Sequence, residues 1–175
     1  MIKIITLLVP GFCLMILAGC ATPHQQIAER VSFPKEPNFH LEGERIRDAF
    51  HLTKIRVYVA TMPWDEGEYR YRFLRLWPSG EAFLSYMRLS NPTREDVEAI
   101  EYGGAGYFTI RNGEIKLEIF SRSGGGSYQN YYGKIEGKTI ILRGPWRRGT
   151  LQLGTMEALP YHLVDFGTLE SDPLW

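Results

Sequence analysis

The histidines are the side chains of this sequence best suited to bind a metal ion or to transfer a proton at neutral pH. They occur at four widely separated positions: His24, His40, His51 and His162. None lies at the close spacing of a zinc site or of a histidine-activated nucleophile. We therefore interpret them as ordinary surface or core residues, and we expect no metal, no cofactor and no catalytic histidine.

A glycine-rich segment, Ser123-Gly124-Gly125-Gly126-Ser127, is the second candidate, because the N–H groups of such a loop can bind phosphate. A phosphate loop needs a following helix and a lysine. The chain continues instead as a strand pattern, Tyr128-Gln129-Asn130-Tyr131-Tyr132, so we predict a hairpin loop. The sequence also lacks a Gly-x-Ser-x-Gly motif, and no pair of acidic residues has a spacing that indicates a glycosidase.

Arginines alternate with aromatic residues in one predicted strand. The segment contains Arg70, Arg72 and Arg75 among Tyr69, Tyr71 and Phe73. Inside a barrel, such an arginine could pair with an acid or bind an anionic ligand. On an outer face it would be solvated, and we favour this exposed face.

A second group of arginines surrounds Pro145-Trp146 and consists of Arg143, Arg147 and Arg148. One interpretation is a cation–aromatic patch for lipid headgroups or polysaccharide. We favour a solvated turn in which Trp146 closes the end of the fold.

The N-terminus has the pattern of a secretory signal. Met1 and Lys3 precede residues 4–18, none of which is charged. The run is shorter than the roughly 20 apolar residues of a membrane-spanning helix. A positive start, a short apolar segment and small residues at its end are typical of a signal peptide. Pro10 and Gly11 interrupt the run, which favours a transient segment over a permanent span.

The end of this run, Leu17-Ala18-Gly19-Cys20, resembles the lipobox of bacterial lipoproteins. The resemblance implies cleavage between Gly19 and Cys20, so that residues 1–19 are the signal peptide, and two or three acyl chains on Cys20. A second acyl chain makes membrane anchoring stable, whereas one anchors only marginally. By the same resemblance, Ala21 in place of Asp implies the outer membrane, facing the periplasm, in a Gram-negative host. The alternatives are an ordinary signal peptide with an incidental cysteine, or a small membrane anchor.

Composition indicates one domain beyond the signal. Cys13 would leave with the signal and Cys20 would carry lipid, so no disulfide is expected. About 155 residues would remain, which is enough for a single core. Lysine plus arginine and aspartate plus glutamate each total 20, so the charge does not indicate a nucleic-acid partner. Frequent aromatic residues with repeated glycine favour a β-rich domain.

Residues 20–40 are predicted to contain the lipidated cysteine and a flexible tether. They carry Pro23, Pro34 and Pro37 among scattered polar residues, so they have little apolar surface to bury. A short helix over residues 25–31 is the alternative. Residues 41–175 are predicted to form a single β-rich domain.

Turn residues separate a series of short strand patterns in this domain. Asn112-Gly113 is typical of a type I′ hairpin turn, and Pro78 and Gly80 suit a type I turn. Ile115, Leu117 and Ile119 alternate with charged residues, which predicts a sheet with one dry face. The predicted strands are 54–60, 69–76, 82–88, 107–111, 114–120, 128–135, 138–143, 150–155 and 161–166.

One short helix is predicted over residues 93–100. Thr93 and Asp96 have the spacing of a capping box, and acidic residues in the first turn favour the helix dipole. Gly103, Gly104 and Gly106 follow it and predict a loop.

A single sheet of so many strands would expose two edges and one apolar face. We therefore predict a mainly β fold, an antiparallel meander that closes into a barrel or folds into a two-layer sandwich. Residues 71–80 resemble a strand and turn in the C-terminal region of some F-box only proteins. Three segments resemble the strand rhythm of lipocalin-like small barrels: Gly106-Tyr107-Phe108-Thr109-Ile110, Gly113-Glu114-Ile115-Lys116-Leu117 and residues 132–142.

The anchor, the strand pattern and the lack of catalytic spacing together predict a non-enzymatic, membrane-tethered domain. We expect it to bind a small apolar ligand or an envelope protein. One alternative is a scaffold in envelope assembly. Another is an enzyme acting on envelope lipid or glycan, with His51 or His162 beside a carboxylate.

Overall fold

A computed structural model of the chain describes residues 24–28, 31–41, 52–64, 67–122, 126–144, 158–170, 172–173 and 175. These residues form ten strands and one short helix. The elements are β1 His24–Ala28, β2 Val31–Pro34, β3 Arg56–Pro63, β4 Tyr69–Leu76, β5 Glu81–Ser85, α1 Arg94–Ala99, β6 Gly103–Arg111, β7 Glu114–Ser121, β8 Ser127–Glu136, β9 Thr139–Arg143 and β10 Leu159–Val164.

Eight of the strands close into an antiparallel barrel in the order β6-β5-β4-β3-β10-β9-β8-β7, with β7 paired back to β6. Closure leaves no open sheet edge in the ring. The β1–β2 hairpin lies outside it and joins it through a parallel pairing of β2 with β6 at Ser32 and Gly104. The predicted mainly β barrel is thus confirmed, and it is the barrel rather than the sandwich that forms.

The two ends of the barrel differ. Tight turns join β4 to β5, β6 to β7 and β8 to β9 at one end, here called the turn end. At the β6–β7 turn, Asn112 and Gly113 have φ angles of 51° and 77°, as the predicted type I′ turn requires. The strand ends that flank the other four connections lie at the opposite end, here called the loop end.

The barrel interior is filled by alternate residues of its strands. Ile115, Leu117 and Ile119 of β7 face inward, as the alternation predicts, and each is 1% exposed. Full burial of such a side chain stabilises the fold by about 2 kcal/mol. The buried interior cluster comprises Leu52, Tyr58, Ala60, Leu74, Leu76, Ala82, Leu84, Phe108, Ile110, Ile115, Leu117, Ile119, Tyr131, Ile140, Leu142 and Tyr161.

A second apolar core lies on the outside of the barrel wall. Residues of β3 to β7 that point away from the interior are covered by β2, residues 39–41, α1 and the C-terminal residues. Trp175 packs edge-on against Trp77, with 5.6 Å between ring centroids. The buried members are Val31, Phe33, Phe39, Leu41, Val57, Val59, Phe73, Trp77, Phe83, Val97, Ile100, Ala105, Tyr107 and Phe120.

Helix α1 forms where the capping box predicts it. The Thr93 hydroxyl accepts a hydrogen bond from the Asp96 N–H, and the Asp96 carboxylate accepts one from the Thr93 N–H. Val97 is buried against the outer core, which supplies the packing that so short a helix needs.

The predicted tether over residues 20–40 differs from the structure in its described part. Residues 24–28 and 31–34 are strands, which also excludes the alternative helix over 25–31. Phe33 and Phe39 stack with ring centroids 5.2 Å apart and are both buried. The segment has few apolar residues and hence no hydrophobic period, but the aromatic ones each bury a large surface.

The loop predicted at Gly103, Gly104 and Gly106 is wrong, because these residues belong to β6. A Cβ atom at Gly106 would lie 1.9 Å from the Glu118 carbonyl oxygen of β7. The glycines therefore allow neighbouring strands to approach closely. The predicted strand 150–155, residues 1–19, Cys20, His51, Trp146, Arg147 and Arg148 lie outside the described residues.

Candidate ligand-binding site

Arg72 is a charged side chain on the inner face of β4. Its neighbours on that face, Leu74 and Leu76, belong to the interior core. The Arg72 Nε–H donates a hydrogen bond to the Ser85 carbonyl oxygen at 2.7 Å. The Nη2 group donates to the Tyr131 hydroxyl at 3.3 Å. These bonds fix the guanidinium within the barrel, on the loop-end side of the apolar core.

Two phenols frame the guanidinium. The Tyr131 ring lies 5.7 Å from the Arg72 Cζ atom, a cation–π distance. The Tyr131 hydroxyl in turn donates to Gln129 Oε1 at 2.9 Å. Tyr161 of β10, only 2% exposed, lies close enough to interact electrostatically with Arg72. Burial raises the pKa of Tyr161 more than Arg72 lowers it, so this phenol is neutral at physiological pH.

Arg72 differs from the other arginines of this region in its charge partners. Arg70, Arg75 and Arg88 each have a carboxylate within ion-pair distance, those of Glu68, Glu98 and Asp96. No carboxylate of the described residues lies that close to Arg72. Burial lowers the pKa of Arg72, but the Tyr161 and Tyr131 phenols raise it by more, so the guanidinium stays charged.

The exposed face predicted for the arginines of β4 is wrong. Arg75 is fully buried in the outer core, where its Nη1 donates to the Val97 carbonyl oxygen at 2.8 Å. It lies 4.5 Å above the Trp77 ring, and burial lowers its pKa to about 10. Arg72 points into the barrel, as in the alternative. Because residues 73–76 of β4 are buried on both faces, the alternating pattern there does not mark a face exposed to solvent.

A second polar cluster joins the N-terminal segment to the barrel wall. Glu118 of β7 is 2% exposed, and its Oε2 accepts hydrogen bonds from the N–H groups of His40 and Leu41 at 2.6 and 3.1 Å. Its Oε1 lies 3.0 Å from the His40 ring nitrogen Nδ1. Glu118, first through a hydrogen bond and then through its charge, raises the pKa of His40. These hydrogen bonds attach His40 and Leu41 to β7.

His162 of β10 forms no ion pair with a carboxylate of the described residues. His162 is exposed, and its Nδ1 lies 3.2 Å from the Thr139 hydroxyl. The described ranges place no three His, Cys, Asp or Glu side chains where they could hold a metal ion. Of the two histidines named in the enzyme alternative, His162 therefore lies apart from every carboxylate of the described residues, and His51 lies outside those residues.

Sequence reasoning missed the phenols around Arg72. Tyr131 carries a usable signal, since Tyr128, Asn130 and Tyr132 alternate with it along β8 and lie on the other face. Tyr161 gives no comparable signal, because its neighbour Arg72 is distant in sequence and only barrel closure brings them together.

None of the described residues belongs to a helix long and apolar enough to cross a membrane. The chain was compared with models of protein families, with curated proteins and with solved structures, and no significant match was found.

Proposed function

We propose that this protein is a lipid-anchored lipoprotein of the bacterial envelope whose barrel is a non-enzymatic binding domain. Its ligand is a small, mainly apolar molecule that carries one anionic group. The observation that supports this most is the charged guanidinium of Arg72, which lies inside the barrel beside the Tyr131 hydroxyl, while no carboxylate of the described residues comes within ion-pair distance of it.

A partly desolvated charge without a counter-ion is costly, and proteins generally pair such charges. An anionic ligand would supply the missing charge for Arg72. The planar guanidinium presents several N–H donors in a fixed arrangement that matches a carboxylate. A charge-assisted hydrogen bond of this kind contributes about 2 kcal/mol to binding.

The anchor places this domain close to the membrane. In the proposal, Cys20 carries the acyl chains, and only Ala21, Thr22 and Pro23 separate it from His24, the first residue of β1. Such a stretch spans at most about 14 Å when fully extended. The barrel would therefore stay near the headgroups, on the periplasmic side of the outer membrane in a Gram-negative host.

Native mass spectrometry of the protein purified from envelopes tests the ligand part of the proposal. We expect the wild-type protein to carry the added mass of a small organic anion, and Arg72→Met to lose it. Arg143→Met is the matched control, because Arg143 is an exposed arginine at the end of β9. Equal retention by Arg72→Met, or no retained anion in the wild type, would contradict the proposal.

A further inference from the structure

The barrel interior is asymmetric about Arg72. On its turn-end side, the same face of β4 carries Leu74 and Leu76, both 0% exposed. Leu117 of β7 and Leu142 of β9, also buried, belong to the same cluster. An apolar chain attached to an anion at Arg72 could enter this region only by displacing packed side chains, which close-packed interiors resist.

On the loop-end side of Arg72, the β3–β4 hairpin continues as an apolar surface. Met62 is paired with Arg70 across the hairpin, and the Trp64 N–H donates to the Glu68 carbonyl oxygen at 2.8 Å. Alternation places Met62 and Trp64 on the same face as Arg70 and Arg72. Trp64 is 49% exposed, and the Arg70 guanidinium lies 5.3 Å from its ring.

Residues 87–89 extend this surface on the other side of β4. Arg88 exchanges two backbone hydrogen bonds with Tyr71, and its side chain points outward to Asp96 of α1. Met87 and Leu89 flank Arg88, so alternation counted from the Tyr71–Arg88 bridge predicts that they lie on the inward face. They are 51% and 74% exposed, which is high for large apolar side chains.

We define the mouth wall as Met62, Trp64, Met87 and Leu89, the apolar residues that continue the Arg72 face of β4 beyond the barrel core. We infer that the ligand of the proposed binding function is a monocarboxylate with an apolar chain. Its carboxylate faces inward to Arg72, and its chain runs outward across the mouth wall. This inference rests on the proposed function and specifies its ligand class and orientation.

Charge selects the headgroup. Arg70, the other cation on this face, already has Glu68 within 3.4 Å. Arg72 then has no carboxylate of the described residues within ion-pair distance, and its one charge matches a single negative charge better than a phosphate dianion. The planar carboxylate also fits the edge of a guanidinium with two parallel hydrogen bonds. Apolar chain atoms would cover the exposed mouth wall, which otherwise faces water.

Calorimetric titration of residues 20–175 with Cys20→Ser tests this inference. That chain contains every described residue and carries no acyl group of its own to compete for the site. The probes are hexanoate, octanoate and decanoate, with decyl phosphate and decyltrimethylammonium as headgroup controls. We expect affinity to rise about two- to fourfold for each added methylene, with decanoate tighter than decyl phosphate and no binding of the cation.

Matched variants distinguish the contribution of the mouth wall to binding from that of Arg72. In the double variant Met87→Ser, Leu89→Ser, affinity should increase less with the chain length of the carboxylate. The affinity for hexanoate should stay within about twofold of wild type. Val164→Ser, at a 36% exposed residue of the turn end, is the control and should change nothing. Circular dichroism of each variant confirms that it folds.

Three results would overturn the inference. They differ in which part of it, or of the proposed function, they contradict. If carboxylates bind through Arg72 with the same affinity at every chain length, the mouth wall does not bind the apolar chain. Binding of the anion by Arg72 would still hold. Tighter binding of decyl phosphate would replace the carboxylate as headgroup. Failure of every anion to bind would remove both the inference and the proposed function.

Discussion

The Nη2 group of Arg72 donates a hydrogen bond to the hydroxyl of Tyr131 at 3.3 Å across the barrel interior, and this hydroxyl passes the interaction on to Gln129. A charge is thereby held in place by neutral partners from another strand. Such an arrangement satisfies hydrogen bonds without neutralising the charge, which is the property that a site for an anion requires.

Arg72 is expected to matter for binding more than for stability. Arg72→Met should abolish anion binding but change the free energy of unfolding by no more than about 1 kcal/mol, because removing a partly desolvated charge offsets the lost hydrogen bonds. Tyr131→Phe keeps the charge and should weaken binding only three- to tenfold, or about 1 kcal/mol. Urea denaturation and calorimetric titration of both variants measure these effects. A loss of several kcal/mol in Arg72→Met would instead indicate a structural role.

The His40–Glu118 contact predicts a pH-dependent contribution to stability. The pKa of His40 is raised above its ordinary value of 6.5 by the hydrogen bond and charge of Glu118. The contribution is therefore fully present below pH 6.5 and is lost as the pH rises through the folded-state pKa. Urea denaturation at pH 5.5 and at pH 8.5 should show the wild type more stable than His40→Gln at the lower pH only.

Glu118→Gln provides the control for this pH effect. It retains a side-chain oxygen that can accept the His40 and Leu41 N–H groups, but it removes the negative charge that favours the protonated ring. In the Glu118→Gln background, His40→Gln should have the same effect at both pH values. A pH-dependent difference that persists there would show that another group titrates.

The N-terminal segment is expected to contribute to the stability of the domain. Phe33 is 6% exposed, stacks on Phe39 and lies 6.1 Å from the Trp175 ring. Phe33→Ala should lower the free energy of unfolding by about 3 to 4 kcal/mol. Lys35→Ala, at an exposed residue two positions further along the chain, should cost less than about 0.5 kcal/mol. Equal free energies of unfolding for both variants and the wild type would instead support the predicted flexible tether over residues 20–40.

The anchor is tested at Cys20. Metabolic labelling with radioactive palmitate should label the wild-type protein and leave Cys20→Ser unlabelled, because the thiol is the proposed site of lipid attachment. Cys13→Ser, which keeps Cys20, is the matched control and should be labelled like the wild type. Label on Cys20→Ser, or none on the wild type, would contradict the anchor.

Local signals in the sequence predict the parts of the fold that depend on neighbouring residues. The positive φ angles at Asn112 and Gly113 and the reciprocal bonds of Thr93 and Asp96 need only a few residues to form. Gly106 shows the limit of this reasoning. Its place in β6 depends on the close approach of β7, a contact that does not exist until the strands pair.

The arginines of β4 fail as a signal for a related reason. A strand with one wet face shows its buried side as the apolar one. In β4 the inner face carries Arg72 with Leu74, and the outer face carries Arg75 with Phe73, so both faces mix charged and apolar residues. Barrel closure buries the inner face of residues 73–76, and the outer layer formed by α1 and the N-terminal segment covers their outer face.

Nitrogen NMR of the Arg72 guanidinium can show whether this side chain binds the carboxylate of a ligand. Octanoate is added to the ¹⁵N-arginine-labelled chain of residues 20–175 with Cys20→Ser, and Arg72→Met identifies the Arg72 Nε–H signal. We expect this signal to move saturably with octanoate while that of Arg143 stays in place. An Arg72 signal that does not move at concentrations where octanoate binds would contradict this expectation.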